Sequence, residues 1–186
     1  MLALALALTL SQTGTNEATR LGAEYFVQRA GVTWTYELAK GKGRVSISSF
    51  VDWRAHVSIS LGKWSGSSVW RVKEGVWLEK SGLRGGDEAI ILPATLTRGT
   101  RWVTAASIER GGGKKSAFEV LALEASVELP NGQVLDSCLA VLETPVDGGD
   151  SLTHYYSQNV GKVAVQGPDG WIYRLVDFKG GNHHSD

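Results

Sequence analysis

The sequence predicts an all-β domain: a curved, largely antiparallel meander sheet or half-closed barrel of about ten strands, with a short N-terminal helical or extended segment. Three observations lead there. Apolar residues recur with period two, as Val32, Trp34, Tyr36 and Leu38 do against Thr33, Thr35 and Glu37, and that alternation places one face of a strand in a core and the other in water. Turn-forming Gly, Asn, Asp and Ser separate the apolar runs, and 23 Gly against four Pro is a composition of tight turns rather than of linkers. Finally, no long segment repeats at helical spacing, and no internal repeat or second composition divides the chain.

The elements follow in chain order. Met1 to Leu10, MLALALALTL, is an unbroken apolar run. It has the length of a signal-peptide core and is too short to cross a bilayer as a helix. No Lys or Arg precedes Arg20, so the basic start of such a signal is expected upstream of Met1, and the polar SQTGTNEATR reads as a tether. Residues 1–20 are therefore read as a signal-like segment with its tether, 21–179 as one β domain, and 180–186 as a flexible tail. Asn16 to Phe26 carries the helical signals, with Asn16 as N-cap and Glu17 in the first turn.

Strands are predicted from Val32 to Leu38 and, after Gly41-Lys42-Gly43, from Val45 onward. There Ile47, Ser49 and Val51 share a face that excludes Phe50. Val57, Ile59 and Leu61 alternate in the next strand, and Ser67 to Lys80 reads as a hairpin around Glu74-Gly75. A loop over Ser81 to Asp87 leads to the apolar run Glu88 to Pro93. Thr100 to Arg110 and Lys114 to Leu129 form a long hairpin around Gly111 to Gly113. Pro130-Asn131-Gly132 is a turn, since Pro fixes φ and Asn-Gly accepts positive φ. Further strands span Val134 to Glu143, Leu152 to Ser157, Val163 to Gln166 and Trp171 to Phe178.

Nineteen basic and nineteen acidic residues cancel, so no overall field draws in nucleic acid or an anionic membrane, and no nucleic-acid partner is expected. Cys138 is the single cysteine. It forms no intrachain disulfide or multi-Cys zinc site and reads as a small buried apolar residue. His56 and His154 stand apart, and His183-His184 lie in the tail, so no metal-ligand spacing occurs. Asp87-Glu88 and Asp147 to Asp150 lack the order of a calcium loop. With no nucleophile elbow and no phosphate-binding loop, no catalytic residue, metal or cofactor is assigned and no transmembrane span is expected. An enzyme assembled from separate strands is the alternative. Its mark would be a pocket with two carboxylates, or His154 beside a carboxylate and a nucleophile.

The aromatic residues supply the candidate site. Trp53, Trp64, Trp70, Trp77 and Trp102 on the concave face of a curved sheet would hold an acyl chain or a sugar ring, because such pockets are mostly apolar with few polar groups. Core packing explains each of them individually as well.

Several motifs also occur in a telling order. Tyr25-Phe26 precedes GVTWTY at Gly31 to Tyr36, followed by Leu92, Pro93, Leu96, Gly99 and Trp102. Val127, Leu129, Pro130, Gly132 and Val134 then lead to Asp136 through Leu139, and the series ends with Tyr155-Tyr156, Val160-Gly161 and Val163. Over most of Tyr25 to Phe178 this order resembles the TapB-like group of bacterial envelope proteins, domains of unknown function. Ser157, Gln158 and Asn159 depart from that group's Ala-Pro-Gly, and no lipid-anchoring Cys lies near the apolar N-terminus. The resemblance implies a non-enzymatic β-rich domain exported to the periplasm or beyond, and it transfers no catalytic residue. The expected role is to bind an apolar small molecule or an envelope protein partner on the concave face, with a purely structural envelope subunit as a further alternative.

Overall fold

The structure, a computed structural model, describes residues 18–81, 88–110 and 114–180. The apolar run, the Asn16 cap, most of the 81–87 loop, the Gly111–Gly113 turn and nearly all of the tail lie outside the described residues.

Fourteen strands occur among the described residues: β1 Arg20–Leu21, β2 Thr33–Leu38, β3 Lys42–Val51, β4 Arg54–Leu61, β5 Trp64–Val72, β6 Val76–Ser81, β7 Ala89–Leu92, β8 Thr95–Leu96, β9 Arg101–Ala105, β10 Lys115–Glu128, β11 Val134–Pro145, β12 Leu152–Ser157, β13 Gly161–Gly167 and β14 Gly170–Lys179. β1 and β8 pair with each other, and the other twelve form one antiparallel sheet. The sheet order is β7-β6-β5-β4-β3-β2-β14-β13-β12-β11-β10-β9. Apart from the pairing of β14 with β2, each of its neighbours follows the last along the chain, so the expected meander is present with two long arms joined at its centre.

The arms curl until β7 and β9 meet. Their junction is made by side chains: the Ile90 N–H donates to Thr104 Oγ1 at 2.9 Å and the Trp102 indole N–H donates to the Ile90 carbonyl at 3.1 Å. The result is a nearly closed barrel, and such closure leaves little unpaired strand edge.

Period-two patterning explains which face turns inward. In β4, Ala55, Val57, Ile59 and Leu61 are buried while Arg54, His56, Ser58 and Ser60 are exposed. That outer face is polar, whereas a lipid-facing strand carries apolar residues there. No helix among the described residues is long and apolar enough to cross a membrane.

Two local expectations are corrected. In β3 a bulge between Ile47 and Ser49 shifts the register. Phe50, rather than Val51, then packs on the core opposite Ala55, and Val51 is 63% exposed. One extra residue moves every later side chain to the other face. Among the described residues the helical signals up to Phe26 yield only a 3-10 turn, Gly22–Tyr25 (η1). Tertiary bonds hold this segment instead: the Gly22 N–H donates to the Ala94 carbonyl and the Ala23 N–H to that of Glu74. A Cβ on Gly22 would lie 2.1 Å from the Pro93 oxygen, so glycine is required for this approach.

Each end of the barrel is covered. At one, η1 lies against the turns that carry Glu74, Ala94 and Asn159, whose N–H donates to the Glu24 carbonyl. At the other, the β9–β10 connection forms a second 3-10 turn, Ile108–Arg110 (η2). Three register shifts bend the long β10–β11 hairpin. Its far end is tied to the outside of the barrel where Arg174 donates to the Glu128 carbonyl at 3.3 Å. Val127 and Leu129 are buried there.

Candidate functional site

Inside the barrel lies a cavity of about 140 Å³. Its walls are mainly apolar, among them Phe26, Val57, Ile59 and Trp70, but Glu109, His154 and Lys162 also line it. Burying three such groups in a core costs several kcal/mol unless each is paired.

Glu109 enters from η2, and its side chain is fully buried. Its Oε1 accepts the Tyr173 hydroxyl at 2.5 Å and the Lys162 ammonium at 3.3 Å, while Oε2 has no partner. Burial by itself would raise this carboxyl, but Lys162, His154 and the Tyr173 hydroxyl outweigh it and hold Glu109 down at about 2. Lys162 comes from β13 and is 21% exposed, with its ammonium 5.6 Å from the centre of the Tyr156 ring. Burial works against its charge, yet Glu109 foremost, with Tyr156, raises it above the usual lysine range. Tyr36 donates to the Lys162 carbonyl at 2.7 Å, and its ring meets that of Tyr173 edge-on at 5.0 Å. Burial first, and then Glu109, keep both phenols protonated above their ordinary range.

A second pair stands beside the first. Glu143 of β11 is fully buried, its Oε2 2.8 Å from His154 Nε2 of β12. Its Oε1 accepts the Ser107 N–H at 2.9 Å and lies 3.4 Å from Arg110 Nε. Burial again pushes upward, but the hydrogen bonds from His154 and from the Ser107 N–H hold Glu143 at about 2. For His154 burial dominates, followed by Lys162, and together they lower its pKa despite Glu143 and Glu109. The imidazole is therefore neutral at pH 7. An ionised carboxylate only accepts, so Nε2 must carry the proton, and Nδ1 is left as an acceptor without a partner.

The cavity thus has a polar end, where Glu109 Oε2 and His154 Nδ1 are unpartnered acceptors. Next to η1, the Tyr25 hydroxyl and the Trp70 indole N–H also lack partners. Because Tyr25 belongs to η1 and Trp70 packs on Phe26 with ring centres 5.2 Å apart, these two groups mark the opposite end.

The five candidate tryptophans are not brought together. Trp70 lines the cavity, as does Trp34, whose indole N–H donates to the Val160 carbonyl at 2.5 Å. Trp102 closes the β7–β9 seam and stacks on Phe118 at 5.3 Å. Trp64 is partly buried at the start of β5 with the Lys63 ammonium 5.4 Å away. Trp77 packs beneath the Arg71 guanidinium at 4.9 Å. Trp53 is 51% exposed, in the left-handed conformation of the β3–β4 turn. Cys138 is buried and free, and burial raises its thiol to about 11. Among the described residues no group of three His, Cys, Asp or Glu could hold a metal.

Glu109, Lys162, Glu143 and their Tyr partners were not singled out from sequence. A signal existed for Glu143, as it did for the His154 already noted. Glu143 is in phase with Leu139 and Val141, and His154 with Leu152 and Tyr156, which places polar groups on a core face.

Fold and site together define an antiparallel β barrel with a hollow, mainly apolar interior and a neutralised charge cluster at one end. No family model, curated protein or solved structure matches this chain.

Proposed function

We propose that this protein binds a small, largely apolar molecule inside its barrel and performs no chemistry on it. The observation that supports this reading is the mainly apolar cavity with a few polar groups in its lining, the usual composition of a ligand site. Its volume, about 140 Å³, is close to that of an engineered cavity known to take up benzene. The cargo is therefore a single ring or a short chain rather than a full lipid. Location in the bacterial envelope and kinship with the TapB-like group belong to the same proposal, supported by the apolar run at Met1 to Leu10 and the motif order from Tyr25 to Val163.

Native mass spectrometry of the protein purified without detergent, combined with organic extraction, tests the binding. A co-purifying small molecule, or uptake of methylcyclohexane that shifts the methyl resonances of Val57 and Ile59, is expected. A clean apo mass with no shift at saturating probe would remove the interior site and leave a protein partner as the reading.

The His154–Glu143 pair favours one alternative. A carboxylate that fixes an imidazole and leaves its other nitrogen as an acceptor is the arrangement of a general base. A hydrolase of that kind would turn over activated esters and lose the activity in His154→Gln, whereas a binding protein shows only stoichiometric uptake.

A further inference from the structure

We infer that the molecule held in the barrel carries a neutral hydroxyl head, as an alcohol or phenol does, and that this head donates to Glu109 Oε2 at the end of the cavity that His154 also lines. The inference rests on the binding reading above and specifies its ligand.

The chemistry of the polar end decides the head group. Both unpartnered atoms there, Glu109 Oε2 and His154 Nδ1, are acceptors, so a head that only accepts would find no complement. A carboxylate would add a negative charge beside Glu109 and would leave both acceptors unmet. An ammonium would add a positive charge to a cluster that already balances: Lys162 faces Glu109 at 3.3 Å and Arg110 faces Glu143 at 3.4 Å. A neutral O–H supplies Glu109 Oε2 with its missing donor without disturbing either pair. The side chains of Glu109 and His154 are 0% and 1% exposed, so solvent does not readily satisfy these atoms, and a buried acceptor left unmet is costly. The opposite end offers the Trp70 N–H, a donor, beside the apolar ring of Phe26, which gives the cavity a direction. The hydroxyl points to η2 and the apolar body lies against Phe26, Ile59 and Trp70.

The test uses four probes of one size: cyclohexanol, methylcyclohexane, cyclohexanecarboxylate and cyclohexylamine. None absorbs where tryptophan does. Their dissociation constants are measured by calorimetry and tryptophan fluorescence in the wild-type protein and in Glu109→Leu/Lys162→Met, which removes acceptor and ammonium together and keeps the interior uncharged at that point. Methylcyclohexane binding in the variant reports that the cavity is intact. Cyclohexanol is expected to bind wild type at least tenfold tighter than the acid and the amine. Its affinity relative to methylcyclohexane is expected to fall at least tenfold in the variant. Equal binding of the carboxylate, or an unchanged alcohol-to-alkane ratio in the variant, would overturn the hydroxyl assignment while leaving the cavity as an apolar site. Binding of no probe to wild type would overturn both.

Discussion

Lys162→Met removes one charge from the barrel interior and leaves the rest of the side chain's volume nearly in place. The ammonium stands 3.3 Å from Glu109 Oε1, whose side chain is fully buried. At that separation and an effective dielectric constant of about 20, the attraction is roughly 5 kcal/mol before desolvation is subtracted. The displacement of Glu109 from 4.5 to about 2, the net of burial against Lys162, His154 and the Tyr173 hydroxyl, puts the gain of the whole cluster at roughly 3 kcal/mol at neutral pH. Because Lys162 is 21% exposed, the smaller figure is preferred. The loss on removing one partner of a buried pair is of this size, whereas replacing both partners by apolar groups is often close to neutral. Urea unfolding at pH 7, followed by near-ultraviolet circular dichroism, is therefore expected to show a loss of about 3 kcal/mol for Lys162→Met at constant m-value. Glu109→Leu/Lys162→Met should recover most of it, short of about 1 kcal/mol for the Tyr173 hydroxyl left without its acceptor. A single variant within 1 kcal/mol of wild type, or a double variant no more stable than the single, would refute the claim that the pair is ionised and buried.

Three further outcomes are expected. Stability should be highest between about pH 6.5 and 9, the upper limit set by the Cys138 thiol and then by the Tyr36 and Tyr173 phenols, all raised in the native state, as urea midpoints across pH can show. His154 is neutral in the native state, so acid favours unfolding once the unfolded imidazole protonates near 6.5. A second loss follows as pH falls from 4.5 toward 2, where Glu109 and Glu143 protonate, and the Lys162 contribution is lost as pH rises above 10.5; a flat profile from pH 7 to 5 would contradict the neutral imidazole. Gly22→Ala places a Cβ against the Pro93 carbonyl and should cost about 2 kcal/mol, with faster hydrogen exchange at Ala23 and Asn159, while unchanged protection would show that η1 does not cover that end. Thr104→Val deletes the acceptor of the Ile90 N–H and should cost about 1 kcal/mol, with exchange accelerated at Ile90 more than in β4, whereas uniform protection would place the closure elsewhere.

The barrel was legible because its strands alternate cleanly and its turns are chemically marked. β4 is the plainest case, and the hairpin at Glu74-Gly75 forms where its composition predicts. The bulge near Ser48 was not legible, since nothing in the run VSISSFV marks where one residue slips out of register, and Phe50 and Val51 exchanged faces as a result. The helical signals before Phe26 lost to tertiary bonds with Ala94 and Glu74, partners about 50 or more residues away in sequence. The site was harder still. Glu109 falls in a stretch the sequence predicts as the end of a strand, Thr100 to Arg110, but the strand stops at Ala105 and Glu109 sits in the 3-10 turn Ile108–Arg110; its partners Lys162 and Tyr173 come from strands more than 50 residues later. Only closure of the sheet brings them together. The tryptophans drew notice for their size, yet strand propensity and seam packing account for most of their positions, and only Trp70 of the five lines the cavity.

Xenon under pressure probes a hollow apolar interior without any assumption about the natural ligand. Crystals or NMR samples of the intact protein should take up one or two xenon atoms among Phe26, Ile59 and Trp70, and none beside the Glu109–Lys162 pair. Xenon that binds only on the outer surface, with the interior resonances unmoved, would mean that the barrel is filled and that its centre is not a binding site.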